Sequence, residues 1–405
     1  MHKTHILPGG LTLVYQQMPA RSVSVGLWVK SGSIYEAPLE SGVSHYIEHM
    51  LFKGTEKRSA LQISEEMDFV GGQLNAYTCR DCTCFHTKTL GENLELSLDI
   101  LSDMYKSSVF DPKELEQERR VIIEEINMYE DSPEDVAHEL LALKMWADSP
   151  YGWSISGTEA SVNGITREVM LSYFRRRYTP ENTVLAVAGC FDEAELISLA
   201  QKYFGSTAAG NNAAELIPPT VHTGVFTRKK DIEQTHICMG WGGYPLGDER
   251  NVSLTLMNEI LGGGMSSRLF QEVREKAGLC YSVYSFSSAY PKAGSFGIYT
   301  ALSPENGKNA LELINKVIEE FKLEGPTEYE LNKTKSQLRC SCLLSSESTS
   351  AVMSRLGRGQ LLRGKIKTDE ELIAEIEAVT RESVQGVARD VLGRPCATAI
   401  VSPYN

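Results

Sequence analysis

The chain contains no run of eighteen or more consecutive apolar residues, so no membrane-spanning helix and no membrane partner are expected. It is also short of positive charge, with 40 Lys and Arg against 53 Asp and Glu and a net charge of −13. That deficit argues against a nucleic-acid partner, since phosphate binding needs a basic face, and leaves a cationic substrate open. The opening residues, MHKTHILPGGLTLVYQQ, reach a Pro-Gly-Gly turn before an apolar secretion segment can form, and they lack the Arg- and Ser-rich pattern of an organelle presequence. A bacterial cytoplasmic protein is expected. Cysteine occurs in an odd number, nine, which in a long chain without an export signal favours reduced thiols over a disulfide framework. Three of the nine, Cys79, Cys82 and Cys84, crowd the segment AYTCRDCTCFHTKTL. Alternation along that β-branched and aromatic run is expected to separate Cys79 from Cys82 and Cys84, so they read as small apolar strand residues and not as metal ligands.

What is present is the composition of a folded globular protein: 405 residues, 42% apolar and 23% charged, with 33 Gly and 15 Pro. That length suits two domains better than one core. The same order of elements appears twice. SVSVGLWVKSGS reads as a strand, ESGVSHYIEHMLFKGT as a helix ending at Gly54, and FDPKELEQERRVIIEEINMYE as a long helix opened by Asp-Pro. Later, THICMGWGGYP is strand-like, NVSLTLMNEILGGG is helical up to a glycine cluster, and GPTEYELNKTKSQLRCSCLL is again a helix after a proline. Residues 205–220, GSTAAGNNAAELIPPT, have no hydrophobic period and read as a linker between domains at 1–204 and 221–405. Each half mixes alternating strands with amphipathic helices, which predicts an α+β class with helices on one face of a largely antiparallel sheet. Ungapped alignment sets His45, Glu48 and His49 opposite Thr255, Asn258 and Glu259, and Glu125 opposite Ser341, so only the first half keeps metal-binding side chains.

His45-Tyr46-Ile47-Glu48-His49 is an H-x-x-E-H motif inside a predicted helix. Positions three and four apart share one helical face, so both imidazoles and the Glu48 carboxylate point the same way. Two imidazoles one turn apart can share a tetrahedral zinc, and the carboxylate then lies beside the position left for water, as in the inverted zincin signature. A catalytic zinc takes a third protein ligand. The helix ELEQERRVIIEEINMYE offers Glu118, Glu124 and Glu125, of which Glu118 and Glu125 share a face, and helical geometry does not choose among them.

HYIEHMLFKGT, GGQLNAYT and ERRVIIEEI, followed by GGGMSSRLFQEVREKAGLCYSV in the second half, resemble the M16 (pitrilysin-type) zinc peptidases, in particular the group holding the mitochondrial processing peptidase β subunit and its bacterial relatives. The resemblance runs over nearly the whole chain. It implies two homologous domains around a peptide chamber, one Zn2+ per chain, Glu125 as the third ligand and Glu118 as a carboxylate orienting a histidine ligand. Glu48 would be the general base. It further implies that the strand around Asn75 and Ala76 binds substrate by main-chain pairing, and that Arg274 and Tyr281 hold the peptide and the developing oxyanion. Relatives of this length work as pairs, so a homodimer acting on peptides or unfolded protein segments is the expectation. The competing expectation is a non-catalytic structural homologue, which typically loses part of H-x-x-E-H.

Overall fold

A computed structural model of the chain describes residues 2–205 and 216–404. Most of the expected linker, residues 206–215, therefore lies outside the described residues. Two mixed sheets organise the chain. The first contains β1 (Lys3–Ile6), β2 (Thr12–Gln17), β3 (Ser22–Val29), β4 (Gln73–Thr78), β5 (Thr83–Leu90) and β6 (Thr183–Gly189) in the order β1-β2-β6-β3-β5-β4. The second contains β7 (Gly224–Lys229), β8 (Thr235–Gly242), β9 (Cys280–Tyr290), β10 (Ala293–Leu302) and β11 (Ala397–Ser402) in the order β7-β11-β8-β10-β9. Apart from β1 the two orders match strand for strand. Each sheet is antiparallel except at one equivalent pair, β2 with β6 and β7 with β11. The expected helices follow suit: Val43–Leu51 and Pro112–Asp131 in the first half answer Asn251–Gly262 and Glu328–Ser345 in the second. The α+β class and the internal duplication are both visible.

Strand alternation gives each sheet two apolar faces. In the first sheet Leu13, Tyr15, Val25, Leu27, Val29, Phe85, Leu185 and Val187 face the main core, which holds Val43, Tyr46, Ile47 and Met50 of the Val43–Leu51 helix. The intervening residues Val14, Trp28, Val184, Ala186 and Ala188 point the other way and pack with Val352, Met353, Leu356 and Ile366. Helices were expected on one face only. The second face is covered as well, by the Thr349–Arg363 helix, which comes from the other half of the sequence. Two glycines make room for it: a Cβ at Gly26 would fall 2.2 Å from Met353 Sδ, and one at Gly357 would fall 2.1 Å from Trp28 Nε1.

The second sheet is treated reciprocally. Its β8 and β11 pack against Pro133–Met145, a helix of the first half, with Leu141 and Met145 seated over Gly240. The chain thus forms two compact units that trade a helix across the contiguous division at 204 and 221. One unit comprises Met1–Ile126, Ser154–Glu215 and Leu343–Thr368, and the other Asn127–Trp153, Leu216–Cys342 and Asp369–Asn405. The physical reason is symmetric: each sheet has a second apolar face, and the helix that follows the long glutamate helix, or its counterpart, supplies the cover.

The cysteine segment departs from the expected alternation. Strand β4 ends at Thr78, and a two-residue turn at Arg80 and Asp81 reverses the chain, with Cys79 N–H donating to the Cys82 carbonyl at 2.7 Å. Cys79 thereby sits across from Cys82, and all three thiols gather on the face covered by the Thr349–Arg363 helix.

Candidate metal centre

The Val43–Leu51 helix starts where it does because of two residues. Gly42 adopts φ +92°, a left-handed conformation in which a Cβ would also meet the Ser156 carbonyl oxygen at 2.7 Å. No side chain at that position caps the helix. Instead the buried Glu36 carboxylate accepts Gly42 N–H at 2.8 Å and Ser44 N–H at 2.9 Å, satisfying two of the first-turn donors. Burial nevertheless dominates and pushes the Glu36 carboxyl up to about 7. Glu36 was not picked out from sequence.

From that anchored turn the helix presents His45, Glu48 and His49 on one side. The Pro112–Asp131 helix, whose first turn is capped by Asp111 Oδ1 accepting Lys113 N–H at 2.8 Å, brings up the opposing carboxylates. Glu125 Oε2 stands 3.7 Å from His45 Nε2 and 3.6 Å from His49 Nε2. These distances are too long for hydrogen bonds. They are close to the roughly 3.3 Å that separates ligand atoms held about 2.0–2.1 Å from a tetrahedral zinc. Among the described residues this is the one group of three His, Cys, Asp or Glu side chains whose donor atoms converge, all lying within 4.8 Å of one another. Glu124, next in sequence, is exposed. The equivalent positions of the second half form no such group among the described residues.

The protonation pattern fits a cation at this point. Burial, reinforced by the neighbouring His49, pushes His45 down to about 3, so its imidazole is neutral and able to donate a lone pair. Its Nδ1 is buried with no hydrogen-bond partner. His49 Nδ1 lies 3.0 Å from Glu118 Oε2, and the nearly buried Glu118 also pairs with Lys53. A carboxylate there fixes the tautomer with the proton on Nδ1, leaving Nε2 as the free donor aimed at Glu125. The two rings pack edge to face with centroids 4.7 Å apart.

Glu48 is held beside the imidazoles. Thr78, the last residue of β4, donates its hydroxyl to Glu48 Oε2, and burial raises the Glu48 carboxyl against that hydrogen bond. Thr78 is a second residue that the motif did not reveal. Strand β4 lies at the sheet edge, hydrogen-bonded only to β5, and packs beside the Val43–Leu51 helix. Asn75 on it is exposed and Ala76 half-buried, and Asn75 Oδ1 accepts the Ala76 N–H at 2.8 Å.

Arg274 and Tyr281 belong to the other unit and are together there. The Arg274 guanidinium lies 4.8 Å from the Tyr281 ring centroid and 4.6 Å from that of Phe270. Tyr281, at the start of the edge strand β9, is 76% exposed, so its phenol is open to a ligand.

Comparison with known proteins agrees with this layout. A family model described as Insulinase (Peptidase family M16) matches residues 12–159, and one described as Peptidase M16 inactive domain matches residues 164–338. The uncharacterized zinc protease YmxG of Bacillus subtilis (strain 168) is 41% identical across 100% of this chain and 98% of its own. A protein of Rickettsia felis, also named an uncharacterized zinc protease, is 35% identical across 98% of this chain and 96% of its own. A protease structure from Helicobacter pylori has the same fold, with a TM-score of 0.93 at 22% identity, covering 100% of this chain and 99% of that one. With relatives at this identity over their full length and the two family models matching successive parts of the chain, the chain belongs to peptidase family M16.

Proposed function

We propose that the protein is a zinc-dependent endopeptidase that hydrolyses peptides or unfolded protein segments, with His45, His49 and Glu125 holding one Zn2+ and Glu48 acting as general base. The observation that carries this reading is the convergence of one atom each from His45, His49 and Glu125 with the separately held Glu48 carboxylate beside them. Zinc, when bound, supplies a Lewis acid that acidifies water and polarises the scissile carbonyl. The remaining work falls to the chain. Glu48, raised by burial, accepts a proton from water and returns it to the leaving amine, and the Thr78 hydroxyl fixes which oxygen faces inward. Glu118 keeps the His49 ring oriented. The open edge of β4 around Asn75 and Ala76 would take an extended peptide through main-chain hydrogen bonds, which tolerates varied side chains. Arg274 and Tyr281 would contact the peptide and the developing oxyanion, as the family resemblance implies. Pairing of two copies belongs to the same proposal.

A non-catalytic reading leaves Glu48 without a task, since a structural zinc needs no base. Replacing Glu48 with Gln should leave zinc stoichiometry intact and abolish hydrolysis of a peptide library, because the amide keeps the shape and cannot take the proton. Turnover within tenfold of the parent, with zinc bound in both, refutes the assignment.

A further inference from the structure

The metal site leaves unused the thiols of the β4–β5 hairpin. Thr78 and Thr83 are paired in register, and the Cys79 N–H bond to the Cys82 carbonyl continues the ladder by one residue, so Cys79 and Cys82 face each other across the strand pair. Directly opposed residues in an antiparallel pair have Cα atoms about 4.5–5.5 Å apart, within the span of a disulfide. Both cysteines lie on the same side of the sheet, against the Thr349–Arg363 helix.

Access and chemistry divide the roles. Cys82 is buried, whereas Cys79 is half-buried and so the more accessible of the pair. The hydrogen bond from Cys82 holds the Cys79 thiol below its ordinary range, against the opposing effects of burial and the Asp81 carboxylate and with the nearby Arg358 guanidinium adding to it. Arg358 is fixed there by its ion pair with the buried Asp81 at 3.0 Å. Cys84, the third thiol, is hydrogen-bonded to Tyr77. It stands two residues from Cys82 on one strand, roughly 6.6 Å along it with a parallel side chain, and is a poor partner for a bond.

We propose that Cys79 and Cys82 are a reversible redox dithiol whose oxidant is a low-molecular-weight disulfide, and that closing it lowers hydrolysis at the adjoining metal site. The Cys79 thiolate attacks one sulfur of the oxidant RSSR and releases RS−, giving a mixed disulfide. Cys82 Sγ then attacks Cys79 Sγ, the second RS− leaves, and the two protons of the protein thiols end on two RSH. The protein loses two electrons and the oxidant gains them. The consequence for activity passes through Thr78, the neighbour of Cys79, whose hydroxyl holds Glu48. A disulfide draws the two Cβ atoms to about 3.8 Å and re-sets the end of β4 that positions that hydroxyl. This second half rests on the peptidase reading, and the formation of the bond does not.

The test uses the full chain. It is incubated with oxidised glutathione, free thiols are blocked, and the denatured protein is digested with trypsin, which cuts after Arg80 and leaves the two cysteines on separate peptides. The expected product is the Cys79 peptide joined to the Asp81–Lys88 peptide by a bond that dithiothreitol reverses, with fragment ions placing it on Cys82 and not on Cys84 of the same peptide. Peptide hydrolysis should fall by roughly tenfold or more on oxidation, a size consistent with small misplacements of catalytic groups, and return on reduction. Cys79→Ser should form no such link and should keep its hydrolysis in the same oxidant, while Cys190→Ser, at an exposed thiol elsewhere, should behave as the parent. Absence of the linked peptide, or glutathione resting on Cys79 without transfer to Cys82, overturns the dithiol. A linked peptide with undiminished hydrolysis overturns the coupling. A reduced chain that hydrolyses nothing sinks the peptidase reading and the coupling with it, and the peptide map still decides the dithiol.

Discussion

The exchanged helices make the first half of the sequence incomplete as a folding unit. A fragment of residues 1–204 keeps every proposed zinc ligand and the base, yet it lacks the segment Leu343–Thr368 that covers the second face of its sheet. Four side chains of that segment, Val352, Met353, Leu356 and Ile366, are buried against Val14, Trp28, Val184 and Ala186. At about 1.5–3 kcal/mol for each buried apolar side chain, their removal costs on the order of 6–12 kcal/mol. That is as large as the whole stability of a typical domain, roughly 5–15 kcal/mol. The fragment should therefore show no cooperative thermal transition by circular dichroism and should bind zinc at least tenfold more weakly than the full chain in a chelator competition. Joining residues 343–368 to it through a flexible linker should restore both. If residues 1–204 alone melt cooperatively near the full-length Tm with an unchanged zinc Kd, the exchanged helix is ornamental and the energetic reasoning fails.

Two further outcomes follow from the site. Glu118→Ala removes the acceptor of His49 Nδ1 and the partner of Lys53, and should weaken zinc binding by roughly 10–100-fold, whereas Glu118→Gln, which keeps an acceptor oxygen, should lose less; equal Kd values for parent and Ala variant in a chromogenic chelator assay contradict this. Glu36 titrates at about 7 in the folded protein against an ordinary value of 4.5 because burial disfavours its charge. Its folded pKa is the higher one, so the stabilisation it gives is present below pH 4.5 and lost as pH rises through 7. At 1.36 kcal/mol per pH unit the swing is roughly 3 kcal/mol, read as the difference between parent and Glu36→Gln in urea unfolding across that window. Parallel pH profiles for the two proteins rule it out.

What could be read from the sequence was what local periodicity controls. His45, Glu48 and His49 come together because a helix repeats every 3.6 residues, and no distant contact is needed to align them. The choice among Glu118, Glu124 and Glu125 was of another kind. Periodicity put Glu118 and Glu125 on one face, but which of them meets the imidazoles depends on where a second helix crosses, about seventy residues later in the chain; the family resemblance, and not helical geometry, named Glu125, and the fold places Glu125 near both rings with Glu118 behind His49. Alternation misplaced Cys79 for a related reason. The rule holds within a strand, and here a tight turn at Arg80 and Asp81 interrupts it, so the parity count restarts on the return strand. Glu36 left no signal at all, because a helix start is sought in the residue before the first turn, and here that residue is a glycine while the cap arrives from an acid six positions earlier. The helix exchange was equally silent. Pro133–Met145 buries Val136, Ala137, Leu141 and Met145, a stripe that states that some sheet must cover it and carries no information about which one. Two sheets of the same topology, each with a bare apolar face, are interchangeable by pattern alone, so the assignment is made by packing at particular contacts: Gly240 under Leu141 and Met145 on one side, Gly26 and Gly357 around Trp28 and Met353 on the other.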